Sequence, residues 1–175
     1  MPSRLRVVFG YAMAAVVLVL ARPTPASLLA ALPFAVLGEG LRLWASGHIE
    51  KTQRLATGGP YAHTRNPLYL GSALIALAVA AACASVAVAV CEALYLAAFY
   101  PSVVREEADF LRRKFGEEYD RWAREVPMFL PRLRPGGPRA TRFDWSRVQV
   151  NREWRTAVAL PFVGLALYAR GRLPF

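Results

Sequence analysis

From Leu68 to Val104 the chain is apolar almost without a break, and that stretch limits the possible folds more than any other. It runs to roughly 37 residues. As one helix it would measure about 55 Å at ~1.5 Å per residue, against a hydrocarbon core about 30 Å thick. Two short spans joined by a tight turn fit instead, with the turn expected at Ala82-Cys83-Ala84-Ser85. Two crossings return the chain to the face it left. The segment before Leu68 and the segment after Val104 therefore share one side of the membrane.

Both segments are unusual. Gly58 to Leu70 (GGPYAHTRNPLYL) packs two prolines, two glycines, two tyrosines, an arginine and an asparagine between apolar blocks. Pro60 and Pro67 fix φ and withhold an N–H, while Gly58 and Gly59 allow backbone closed to other residues. Asn66 precedes a proline and is pushed out of the helical region, so a helix is expected to start at Pro67. A rigid polar loop at the mouth of a membrane helix points to a bound ligand. On the far side, Arg105 to Val126 reads as a charged amphipathic helix on the membrane surface. Pairs such as Asp109–Arg113, Glu117–Arg121 and Asp120–Arg124 stand at i, i+4. Phe110, Leu111, Phe115, Tyr119 and Trp122 supply its less polar side, and Gly116 and Pro127 interrupt or end it. Solvation does not account for adjacent Glu106 and Glu107 where a span leaves the membrane.

The remaining apolar runs complete the bundle. Val7 to Ala21 is an expected first span with Phe9 and Tyr11 near one interface. Arg4 and Arg6 precede it as they would a signal peptide, but further spans follow and no small-x-small cleavage site is evident, so it reads as a retained helix. Ala26 to Ser46 is the second span. Thr156 to Ala169, about 14 residues with Pro161 and Gly164 inside, is short for a span, and leaves a fifth helix and a re-entrant segment both open. The expected fold is all-α: one polytopic integral membrane helical bundle over 1–175. Four to five transmembrane helices lie near 7–21, 26–46, 67–82, 85–104 and, if the fifth crosses, 156–169, with a cytoplasmic helix at 105–126.

Charge supports this. The chain is 55% hydrophobic yet carries a net charge of +10. A soluble nucleic-acid binder is excluded because the basic residues lie outside apolar runs too long for core helices. With the ends of the central hairpin inside, nearly all Lys and Arg are cytoplasmic and Arg22 is external. Arg170 and Arg172 would be outside if the last segment crosses. Arginine far outnumbers lysine and alanine is abundant, which suggests a GC-rich bacterial genome and hence the inner membrane.

A few polar residues inside apolar sequence need an account. Glu39 and Arg42, at i, i+3, lie on one helix face where each offsets part of the other's desolvation. They are either a helix-end ion pair with Arg42 snorkelling or part of a site. Glu92 either lines a cavity or makes a structural hydrogen bond. Gly38-Glu39-Gly40 lacks a preceding strand and a third glycine, so it is no dinucleotide fingerprint. Cys83 and Cys91 support neither a disulfide framework nor a zinc site and read as packing residues. In the polar stretch holding His48, Lys51, Arg54 and His63, neither histidine has a partner at metal-ligand spacing, so no metal is assigned.

Taken together, GGPYAHTRNPLYLG, an apolar hairpin and REEADFLRRKFGEEYDRWAREVPMFLP resemble the isoprenylcysteine carboxyl methyltransferase family, which also takes in related phospholipid methyltransferases. The resemblance covers about Leu41 to Pro131. It implies a multispan helical enzyme that uses S-adenosylmethionine, enclosed between the loop and the post-hairpin helix, to methylate the carboxylate of a prenylated cysteine or the amine of a phospholipid headgroup. A non-catalytic membrane subunit with the same fold is the rival reading. The family's usual Arg-His-Pro is here Arg65-Asn66-Pro67. Asparagine can replace a histidine's hydrogen bonds but not its titration near neutral pH.

The resemblance assigns roles. Arg65, Asn66, Glu106 and Glu107 are the expected catalytic set. Glu106 and Glu107 offer carboxylates to the cofactor's ribose hydroxyls, ammonium or sulfonium. Arg65 offers a bidentate grip on its carboxylate or on an acidic headgroup. Tyr61 and Tyr69 add aromatic faces and hydroxyls, and Pro60, Asn66, Pro67 and Leu68 add backbone groups or adenine packing. The expected partners are the membrane and a lipidic or prenylated acceptor entering from the bilayer.

Overall fold

The computed structural model describes residues 3–50, 53–138 and 141–172, and for residues 3–9, 11 and 12 the backbone alone. Arg4, Arg6, Phe9 and Tyr11 as side chains, and Lys51 altogether, lie outside what is described. Among the described residues every regular element is helical. They run α1 (Ser3–Leu20), α2 (Pro25–Ser46), a 3-10 turn (Gly59–Ala62), α3 (Pro67–Cys83), α4 (Val86–Phe115), α5 (Glu117–Glu125), α6 (Trp145–Val150) and α7 (Trp154–Arg170).

Two of these helices, α2 and α4, are long and apolar enough to cross a membrane, and α3 is a shorter apolar helix. The closest packing is α2 on α3. A Cβ at Gly38 would stand 2.8 Å from the Gly71 carbonyl oxygen, and one at Gly71 would stand 2.7 Å from that of Gly38. Two glycines facing each other let the helix backbones touch, which is how helices gain contact in lipid.

The central hairpin turns where expected. Ala84 takes the left-handed conformation (φ 47°) at the end of α3, and Ser85 caps α4 by accepting from the Val88 N–H. Arg22 N–H donates to the Cys83 carbonyl (2.8 Å) and Ser27 Oγ to that of Ala82 (2.9 Å), tying the α1–α2 connection to the same end. Thr24 begins α2 with a capping box and Pro25 at its first position. Asn66 likewise precedes a helix that opens with Pro67.

Three expectations are corrected. The charged stretch is not a separate helix at 105–126. Nothing between Val104 and Arg105 breaks a helix, so α4 runs unbroken to Phe115, absorbing Pro101, and stops only at Gly116 (φ 52°), from which α5 starts. Secondly, among the described residues the expected i, i+4 pairs are not ion pairs. Arg112 instead meets Asp120 at 2.9 Å across the Gly116 break, and Arg121 turns to the Glu117 backbone carbonyl. A bend brings residues eight apart together, which straight-helix spacing cannot anticipate. Thirdly, Arg42 does not pair with Glu39. Its Nε donates to Glu153 Oε1 (2.7 Å), at the residue before α7, and its Nη1 reaches Ser72 Oγ. Glu153, far away in sequence, is the better-placed acceptor.

That contact anchors α7. From Glu153 beside α2's C-terminal half, α7 runs through Pro161 and Gly164 to Arg170, whose Nε donates to the Leu18 carbonyl at the end of α1. A Cβ at Gly171 would stand 2.6 Å from the Pro23 carbonyl oxygen. The last helix thus lies antiparallel along α2, and its 17 residues make it about 25 Å long at ~1.5 Å per residue.

Candidate active site

The loop from Gly58 to Asn66 is held in place by α5 and the chain that follows it. Trp122 Nε1–H donates to the Tyr61 carbonyl (3.1 Å), and the Arg65 N–H to that of Pro127 (2.9 Å). Arg132 and Gly136 donate from their backbones to His63 and Ala62. Thr64 Oγ1 donates to Phe129 (2.9 Å), and Asn66 Nδ2 to Met128 (2.8 Å). From behind, Thr141 Oγ1 accepts the Gly58 N–H, and no Cβ fits at Gly58 because the Thr141 carbonyl oxygen would lie 1.9 Å away. Much of the irregular loop's backbone is paired in this way, as buried backbone requires.

Against this loop, the end of α4 and the start of α5 enclose a cavity of about 230 Å³ lined by Tyr61, Arg65, Glu107, Arg54, Lys114 and Trp122, among others. Arg65 Nη1 donates to the Tyr119 hydroxyl (3.2 Å), while its Nε is buried with no partner. An orphan guanidinium donor at a cavity is a place for an anion. Glu107, from α4, lines the same cavity. Tyr61 is buried, and its hydroxyl is pushed well above the ordinary tyrosine value by that burial first and by Glu107, Glu153 and Tyr69 after it, with Arg42 opposing. It stays protonated across any working pH and acts as a hydrogen-bond donor, not a base. Beneath lie Tyr119 and Trp122, edge to face at 5.7 Å, with Ala45 and Leu55.

Of the residues singled out in the sequence, the structure brings Tyr61, Arg65 and Glu107 to this one cavity. Leu68 packs beside it on the Tyr61–Trp122 cluster. Pro60 and Pro67 are buried in the loop and at the start of α3. Asn66 spends its amide on Met128, Tyr69 stands edge-on to Tyr100 at 5.5 Å, and Glu106 is exposed on a neighbouring face of α4; none of the three lines the cavity. Sequence reasoning missed Arg54, Lys114 and Glu50 as lining residues, since isolated charges in polar sequence carry no signal. It placed Tyr119 and Trp122 on an apolar helix face without showing what that face covers.

Comparison with known proteins identifies the family. The phospholipid methyltransferase family profile matches residues 6–118, well over half of the chain. The nickel-cobalt-cadmium resistance protein NccN of Alcaligenes xylosoxydans xylosoxydans is 39% identical over 94 residues, covering 53% of this chain and 44% of that protein. The cobalt-zinc-cadmium resistance protein CzcN of Cupriavidus metallidurans is 42% identical over 94 residues, covering 53% of this chain and 43% of its own length. The match thus spans less than half of either relative. No solved structure matches the chain. With two helices fit to cross a bilayer and a family profile spanning the loop, the hairpin and Glu107, the chain is a membrane protein that belongs to the phospholipid methyltransferase family.

Proposed function

We propose that this protein transfers a methyl group from S-adenosylmethionine to a lipophilic acceptor, at the cytoplasmic face of a bacterial inner membrane. One observation carries the reading: Arg65, with a buried unpartnered Nε, and Glu107 face one small cavity beneath Tyr61. The residues present fit the cofactor, which joins a carboxylate, an ammonium and a sulfonium in one molecule. Arg65 would hold the carboxylate by a charge-assisted bond, and Glu107 would face the positive groups. At about 230 Å³ the cavity is smaller than the ~300–1,000 Å³ of a drug-sized pocket, so it takes the charged end and leaves the rest in its mouth. When bound, the cofactor supplies an electrophilic methyl on sulfur. The chain's own work is then alignment and exclusion of water, by Tyr61 and Trp122 on the walls and by the fixed loop.

A carboxylate acceptor, as on an isoprenylcysteine-like lipid, needs no base, and Arg54 and Lys114 at the cavity supply the cations to receive it. A phospholipid amine is the second reading, favoured by the family match, and requires the amine to arrive without its proton. The two relatives' names speak of metal resistance, a property said of those proteins; the chemistry proposed for this chain comes from its cavity. Four helices, α1 to α4, and α7 as a fifth would cross the bilayer. Incubation of the purified protein with membrane lipid extract and radiolabelled methyl donor tests the proposal. Label should pass to an organic-soluble product in wild type and not in Arg65→Ala. No labelled lipid, despite measurable donor binding, would leave a membrane subunit without turnover.

A further inference from the structure

A second space, which shares no lining residue with this cavity, is a groove of about 940 Å³ between α2, α3 and α7. Its walls are almost entirely apolar, with Leu32, Val36, Val79, Leu160 and Gly164 among them. One carboxylate interrupts them. Glu39 lines the groove, is 9% exposed, and neither of its oxygens has a hydrogen-bond partner. The cation nearest along α2, Arg42, is already committed to Glu153, to Ser72 and to the Leu68 carbonyl. The Arg42 guanidinium is thus taken up by Glu153, and the Glu39 carboxyl is left in the groove with no hydrogen-bonded cation. Tyr168, another polar residue of the groove, belongs to its opposite end and accepts from Arg172.

We propose that this groove binds an amphiphile with one long apolar chain and a single ammonium head, the head held by Glu39. The apolar walls accept the chain. An uncompensated carboxylate in surroundings of low dielectric is costly, and a cation brought to it by a lipid tail removes that cost. A head that also carries phosphate is disfavoured, because among the described residues the cation nearest along α2, Arg42, is already committed to Glu153. This site is separate from the methyl-transfer cavity, and its occupancy does not depend on that reading.

The test uses the full chain in phosphatidylcholine nanodiscs and a photoreactive long-chain alkylamine, with the alcohol of the same chain for comparison. The amine should label α2 and α7 about tenfold more than the alcohol, a preference of about 1.4 kcal/mol. Glu39→Gln should abolish that preference, while Glu39→Asp, which retains the charge, should keep most of it. Gly164→Trp, which fills the groove without touching Glu39, should reduce labelling by both probes. Equal labelling by amine and alcohol would overturn the proposal, since the groove would then hold bilayer chains whatever their heads. So would unchanged amine labelling in a folded Glu39→Gln protein, an equally labelled phosphatidylethanolamine analogue, or α7 cross-linked to a second copy in place of the probe. If Glu39→Gln does not fold, the amine-to-alcohol ratio on wild type and the Gly164→Trp variant still decide.

Discussion

Arg65 holds its place through one bond to Tyr119 and leaves a second donor unused, so its substitution should be felt by the cofactor more than by the fold. Arg65→Ala is expected to weaken S-adenosylmethionine binding by about 1.5–3 kcal/mol, the range for a hydrogen bond to a charged group. Glu107→Gln should act in the same direction, since a neutral amide cannot balance a sulfonium. Calorimetry on both variants reads this directly, and unchanged affinity in both would remove them from the site. His48 makes a pH prediction. Burial between Trp44 and Phe143 holds its imidazole below the usual value, Arg147 adds to that shift, and the Thr141 carbonyl opposes it. The unfolded chain then binds the proton first. Stability is full above about pH 6.5 and falls as pH drops from there to the lower folded value. His48→Gln should flatten that slope in melting curves. Arg65 and Glu107 were singled out in the sequence through the family motif, and the structure sets both at one cavity; their role there belongs to the proposal. Arg54 and Lys114 were not singled out, because their neighbour across the cavity is distant in the chain.

At the scale of elements, the sequence showed the hairpin, the proline that opens α3 and the Ala82–Ser85 turn, since bilayer thickness and local chemistry decide them. It did not show that α4 continues past Arg105 as one helix. Helix continuity depends on the first true breaker, and that residue is Gly116, not the charge boundary at Arg105. Gly116 has φ 52° and ψ −124°, a conformation that residues with a Cβ rarely adopt. A Cβ there would meet no neighbour within 4 Å, so the strain is backbone alone. Gly116→Ala should cost about 1–3 kcal/mol and loosen α5, which carries Tyr119 and Trp122 into the site. Faster proteolysis between α4 and α5, with a red-shifted Trp122 emission, checks it. A Gly116→Ala protein as protected as wild type would mean that α5 stays docked without the bend.

At the scale of the molecule, Arg42 joins α2, α3 and the start of α7. Arg42→Ala leaves Glu153 without its cation and should destabilise by about 3–5 kcal/mol, the cost of breaking a buried pair. Glu153→Gln should cost less, because the freed guanidinium can turn to Glu39; the order of the two melting temperatures tests this. The Arg42–Glu153 contact was invisible in the sequence, where Glu39 stood nearer and nothing marked Glu153. Bilayer topology is open to labelling: a cysteine at Arg22 and one at Asp109, both exposed, should react from opposite compartments. A final consequence follows from the uninterrupted α4. One continuous helix carries both the apolar stretch that begins at Val86 and the Glu107 carboxylate. With α4 crossing the bilayer as proposed, the height of that carboxylate relative to the headgroups would be tied to how thick the surrounding bilayer is, and lipid tail length would set the level of the candidate site.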